Sequence, residues 1–194
     1  VMLGRRLETV SCDAVLVNNQ KAAQEMAQHL IEQGLTEFAY IGQQGKLHDR
    51  RLFGFRAGLL DSGFPLPESN ILRLDYNNPA QCRREITELL KRKRTGRLGI
   101  FCYHDLFATR TINLCHELGI TVPDEAAIAG FDDLPAAAET YPPLTSVSYP
   151  VQDMARLAFE SLYARIKFKS IDGGVCRYLD SKLVVRQSTR MKIQ

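Results

Sequence analysis

Short apolar runs alternate along this chain with longer segments whose apolar residues recur at helical spacing. The pattern predicts strands at 13–19 (DAVLVNN), 37–42 (EFAYIG), 71–76 (ILRLDY), 97–103 (RLGIFCY), 126–131 (AAIAGF) and 177–189 (RYLDSKLVVRQST), with TSVSYP (145–150) leading into the last helix. Between them it predicts helices at 20–34, 50–63, 79–93, 105–119 and 151–168. In the first helix Ala23, Met26, Ala27, Leu30 and Ile31 share one face, and in the third Pro79 sits where a first turn tolerates it. Strand–helix alternation of this kind defines an α/β protein built on parallel sheets.

Open parallel sheets collect ligands beyond the carboxyl ends of their strands. Tyr76, Tyr103, His104, Asp132 and Asp133 all fall at such ends, and the loop QQGKLHDR after Gly42 leads to Arg51. Polar and aromatic groups from four successive strands therefore converge on one edge. The segment AIAGFDDLPAAAETYPPLTSVSYP (127–150) places two adjacent aspartates directly after a buried-looking strand, which makes them candidates for that edge.

Composition narrows the function. The 194 residues carry a net charge of only +3, far from the concentrated basic face of a nucleic-acid reader. The densest basic run, KRKRTGR (91–97), falls where a helix ends and complements the negative end of its dipole. The five cysteines form no C-x-x-C pair and no zinc spacing, so neither a metal nor a cofactor is expected, and Cys102 and Cys115 read as core residues. No apolar run spans a bilayer and the first residues lack a signal-peptide layout, so the expectation is a cytoplasmic protein without a membrane partner. The chain holds no G-x-G-x-x-G, P-loop, G-x-S-x-G or H-E-x-x-H motif, and adjacent aspartates tend to point apart, which makes them a poor catalytic dyad. An enzyme is not expected.

Four segments resemble the effector-binding module of the LacI/GalR family of bacterial transcription regulators. They are HLIEQGLTEFAYIG, RRLFGFRAGL, FCYHDLFATRTINLCHELGITVPDEAAIAGFDD and YPPLTSVSYPVQDMARLAFESL. The resemblance runs over nearly the whole chain in order and spacing. It implies a periplasmic-binding-protein-like (type I) fold, a two-lobed parallel α/β architecture with the effector held between the lobes. By that resemblance residues 1–35 and 149–170 form part of the N-terminal lobe, and 36–148 with 171–194 form the C-terminal lobe. Family members carry a helix-turn-helix domain, a hinge and about half of the first lobe ahead of the position of Val1. The chain thus reads as a fragment with an incomplete N-terminal lobe, reaching operator DNA only through that further domain.

The resemblance also assigns roles. Arg51 matches an arginine that donates to effector hydroxyls, as a planar five-donor fork can. Asp132 matches an aspartate that accepts hydroxyl hydrogens, while Asp133 is expected to shape the turn. Tyr76 matches an aromatic that stacks on the effector, and His104 stands where asparagine is usual, able to donate or accept. Asp105 is expected as the N-cap of the following helix. Gly4 departs from the family's acidic residue, so one hydroxyl acceptor is missing. The implied partners are a small sugar-like effector and a second copy of the chain, met through Leu106, Phe107, Thr109, Arg110 and Asn113. The alternative within the same fold is the sugar-binding component of a transport system.

Overall fold

The computed structural model describes residues 1–4, 11–45, 49–168 and 173–190. The remaining parts of the expected lobes, and residues 46–48 in the loop before Arg51, lie outside these. In chain order the elements are β1 (Met2–Leu3), β2 (Ala14–Val17), α1 (Asn19–Glu32), β3 (Glu37–Gln43), α2 (Arg50–Asp61), β4 (Ile71–Leu74) and α3 (Pro79–Leu90). They continue with β5 (Leu98–Cys102), α4 (Asp105–Glu117), β6 (Ala126–Asp132), β7 (Thr145–Ser148), α5 (Val151–Phe168), β8 (Cys176–Leu179) and β9 (Lys182–Val184). Short 3-10 turns occupy Glu68–Asn70 and Pro135–Ala138.

The chain divides into two compact units, Val1–Asn18 with Tyr149–Lys182, and Asn19–Ser148 with Leu183 onward. This corrects two of the expected boundaries. Helix α1 belongs to the second unit, because it packs along α2 at a distance only glycine permits. A Cβ on Gly54 would overlap the Gln20 carbonyl oxygen and lie 2.9 Å from the Gln20 Cα. The segment around β8 belongs to the first unit, because β8 pairs in parallel with β2 from Ala14↔Cys176 to Val17↔Leu179. The expected single strand 177–189 is two short strands, β8 and β9, one in each sheet. Asp180 and Ser181 separate them.

In the first unit β1, β2 and β8 form a sheet in that order, and α5 lays Met154 against Val15 and Val17. Arg165 near the end of α5 forks onto both oxygens of the buried Asp13, at 2.5 and 2.6 Å, and that hydrogen bonding holds the Asp13 carboxyl down at about 2.

The second unit is a six-stranded sheet ordered β4-β3-β5-β6-β7-β9, whose first five strands run parallel. Its inner strands β3, β5, β6 and β7 are buried on both faces, and the side-chain period of two sorts their residues into different cores. Phe38 and Tyr40 of β3 and Phe101 of β5 meet Phe55 of α2 at ring separations of 5.1 to 6.4 Å. The intervening Ala39, Ile41, Ile100 and Cys102 pack with Cys82, Ile86 and Leu89 of α3 and Phe107, Ala108 and Ile112 of α4. Each large apolar side chain so buried contributes about 1.5–3 kcal/mol. At the end of α3 Arg94 donates to the carbonyls of Leu89 and Leu90, the role a basic residue serves at a helix C-terminus. Burial pushes the Cys115 thiol up to about 12 and the Cys102 thiol higher still, as befits inert core residues.

Candidate functional site

Strand order creates the site. The chain leaves β3 to build β4 on one side, then returns through α3 to build β5 on the other side of β3. The loops after β3 and β5 therefore run in opposite directions, and a crevice opens between their carboxyl ends.

Arg51 stands at that crevice in the first turn of α2. Asp49 fixes the helix start, accepting from the backbone N–H groups of Arg51 (3.0 Å) and Leu52 (3.2 Å) with one oxygen. Its other oxygen accepts from the hydroxyl of the buried Tyr40, at 2.7 Å. Arg51 is only 7% exposed, whereas the neighbouring Arg50 is exposed. The Arg51 guanidinium lies over the rings of Phe131 (3.6 Å) and Tyr103 (4.5 Å), an arrangement that stabilises a cation away from water. Its nitrogens donate to the Tyr103 carbonyl, to Asn19 Oδ1 at 3.3 Å and to Asp132 Oδ1 at 3.2 Å. The planar donor fork is thus oriented by three elements, with one edge turned to a carboxylate.

Asp132 ends β6, paired with Ser148. Its side chain is 30% exposed, and burial raises its carboxyl above the ordinary range while Arg51 offsets part of that rise. Both aspartates have positive φ, 105° at Asp132 and 50° at Asp133. The second value is the left-handed region that Asp tolerates; the first is sparsely populated for any L-residue and costs on the order of 1–3 kcal/mol. Asp133 turns the other way, pairing with Arg186 at 2.8 Å.

His104 and Tyr76 form a neighbouring aromatic cluster. The His104 ring stacks on Phe107 at 4.4 Å, and Tyr76 meets both rings edge-on. The expectation for Asp105 is corrected: the N-cap of α4 is His104, whose Nδ1 accepts from the Phe107 N–H at 3.1 Å. Burial, with Arg51 and Arg110 adding to it, pushes the His104 imidazole down to about 4. At neutral pH the ring is therefore uncharged, and with Nδ1 accepting, its proton sits on Nε2.

Asp105, displaced from the cap, is 2% exposed beneath the 132–134 turn, and burial raises its carboxyl to about 6. These two groups pull stability in opposite directions with pH. The neutral His104 contributes stability that is present above its ordinary 6.5 and lost as pH falls through about 4. Asp105 contributes stability that is complete below its ordinary 3.8 and lost as pH rises through about 6. Asparagine caps helices well and does not titrate. His104→Asn is therefore expected to lose less stability than the wild type between pH 7 and pH 4, read from urea midpoints. Equal slopes would contradict the buried, neutral imidazole.

Phe107 requires a second correction. It is 0% exposed within its own unit's core, because its ring closes the cluster with His104 and Tyr76, so it cannot present itself to another molecule. Ile112 and Leu114 are buried as well, leaving Leu106 (43% exposed) and Asn113 on the outer face of α4. Thr109 and Arg110 are half-buried, and Arg110 is engaged with the Tyr76 ring (4.3 Å) and carbonyl (3.1 Å).

Asn19, Phe131, Ser146 and Arg186 were not anticipated as parts of this edge, and Asp49 was not singled out within the QQGKLHDR loop that was placed there. Asp49, directly before RRLFGF, carried a readable helix-start signal; the others meet the site only through the fold. No group of three metal-binding side chains occurs among the described residues, and no described helix is long and apolar enough to cross a membrane.

A five-stranded parallel sheet wound on both faces, with a donor and an acceptor at its switch point, places the chain in a recognisable class. It belongs to the periplasmic binding protein-like domain family, whose match covers residues 27–189. Within that class its relatives are regulators of the LacI/GalR type. It is 30% identical over 194 residues to the HTH-type transcriptional regulator DegA of Bacillus subtilis, covering 97% of this chain and 55% of that protein. It is 27% identical to the HTH-type transcriptional repressor PurR of Vibrio parahaemolyticus, covering 94% of this chain and 54% of that protein. Among solved structures, the transcriptional regulator CelR–cellobiose complex superimposes with a TM-score of 0.83 at 28% identity, covering 96% of this chain and 57% of that one. The chain spans about half the length of the curated relatives it matches.

Proposed function

We propose that this chain is the effector-sensing and dimerisation module of a cytoplasmic LacI-type transcriptional regulator, and that it is not an enzyme. The effector is a small polyhydroxylated molecule, a sugar or sugar derivative, bound at the carboxyl edge of the six-stranded sheet. Its binding controls operator recognition by a helix-turn-helix domain of the parent protein. What carries this reading is the juxtaposition of Arg51 and Asp132 at 3.2 Å. A hydroxyl is both donor and acceptor, so vicinal hydroxyls complement a fork of donors set beside a carboxylate. His104 adds a donor and Tyr76 an aromatic face for the C–H side of a sugar ring.

The test is a thermal-shift screen of sugars and sugar phosphates on the complete regulator. A ligand present at a hundred times its Kd stabilises its target by about 2.7 kcal/mol, a readily measured rise. A regulator that responds only to ligands without hydroxyl groups would contradict the proposal.

For assembly we infer an isologous homodimer in which Leu106, Thr109 and Asn113 of α4 approach the partner across a two-fold axis. Arg110 is held mainly by Tyr76 of its own unit and lies at the rim. Sedimentation of the complete regulator should give a dimer that Leu106→Glu weakens. A wild-type monomer at high concentration would sink the inference.

A further inference from the structure

The mechanism of recognition leaves one buried charge unused. Asp105 lies directly behind the two aspartates, out of reach of solvent, and every polar contact around it leads to the backbone that follows Asp132. Its Oδ2 accepts from the Leu134 N–H at 2.7 Å. Its Oδ1 accepts from the Ser146 hydroxyl at 2.5 Å, and the same hydroxyl accepts from the Asp133 N–H at 3.1 Å. The two amides after Asp132 are thus both held, one directly and one through a single hydroxyl. Room for the carboxylate exists because residue 130 has no side chain: a Cβ on Gly130 would overlap Asp105 Oδ1. Arg186, from the segment after β9, adds an anchor on the opposite side. It pairs with Asp133 at 2.8 Å and is itself fixed by donating to the Leu144 carbonyl at 2.8 Å.

A turn with two successive positive φ values does not persist unless its surroundings determine it. We propose that Asp105 and Ser146 are positioning residues, which hold the 132–134 turn in its strained form so that the Asp132 carboxylate faces Arg51. Neither touches the ligand. Asp105 acts through the Leu134 amide and Ser146 through the Asp133 amide, and a relaxed turn would carry Asp132 away from the donor fork. The consequence for recognition rests on the reading of Asp132 as the effector's acceptor. The buried relay itself does not.

The variants are Asp105→Asn, which keeps the shape but loses one acceptor, and Ser146→Ala, which removes the linking hydroxyl without changing charge. In the full chain, hydrogen exchange at the Asp133 and Leu134 amides is expected to accelerate about tenfold or more in both, while the β6 amides of Ile128 and Ala129 keep their wild-type rates. A crystal structure of Ser146→Ala is expected to show Asp132 beyond hydrogen-bond distance of Arg51. Unchanged exchange at Asp133 and Leu134, or an Asp132–Arg51 contact that survives, would overturn the proposal. So would equal acceleration throughout β6, which would mean that the relay supports the whole sheet and not the turn. These readouts need no ligand, so a failed relay is distinguishable from a failed sugar reading, whose mark is unchanged effector affinity in an Asp132 variant.

Discussion

Replacing Asp132 with alanine in the intact regulator is expected to weaken effector affinity about ten- to a hundredfold, because each hydrogen bond to a charged group contributes roughly 1.5–3 kcal/mol. The loss has two sources. Hydroxyl donors of the effector lose their acceptor, and Arg51 loses the carboxylate at 3.2 Å that balances its charge in a largely buried setting. Because residue 132 has a φ of 105°, alanine also changes the turn's own preferences, so Asp132→Asn serves as the companion variant. It retains size and turn tolerance and removes only the charge. Asp133→Ala should act mainly on stability, through the lost pair with Arg186. Calorimetry with the effector from the thermal-shift screen, with folding checked separately, reads both. Unchanged affinity in folded Asp132 variants would mean that Asp132 only shapes its loop. An equal loss from Asp133→Ala would assign the acceptor to the wrong member of the pair.

The second large effect is on stability. Gly54→Ala is expected to cost about 3 kcal/mol or more, the upper range for overpacking. The obstacle is backbone: the new methyl would meet the carbonyl oxygen, carbonyl carbon and Cα of Gln20, none of which can rotate away as a side chain would. Helix α1 would have to lift from α2. Urea unfolding followed by a probe in the second unit should show the loss, and a value below about 1 kcal/mol would contradict the close packing of α1 in that unit. The same glycine explains why α1 belongs with residues 36–148 and not with the strand that precedes it.

Much of this was legible in the residues. Apolar runs of the right length marked the strands, and helix α5 spans Val151–Phe168 as its periodicity implied. Arg51 and Asp132 could be placed at one sheet edge from strand order alone, since both follow strands whose carboxyl ends must point the same way. What stayed hidden depended on three-dimensional partners. Nothing local distinguishes His104 from Asp105 as a cap, because Asp is the better capping residue by type. Asp105 is drawn inward by Ser146 and the Leu134 amide, which lie 41 and 29 residues away in sequence. Phe107, which the resemblance assigned to the partner contact, is closed over by Tyr76 and His104, and Tyr76 is its neighbour in no helical pattern. Strand 177–189 alternated convincingly, yet a strand's pattern says nothing about which sheet it joins, and this one divides between two.

The most direct measurement is a crystal structure of the complete regulator with the sugar or sugar derivative that gives the largest thermal shift. The account predicts ligand hydroxyls within hydrogen-bond distance of both the Asp132 carboxylate and the Arg51 guanidinium, with the His104 Nε2–H facing a ligand acceptor. A ligand bound elsewhere, leaving the Arg51–Asp132 pair as it stands here, would contradict it.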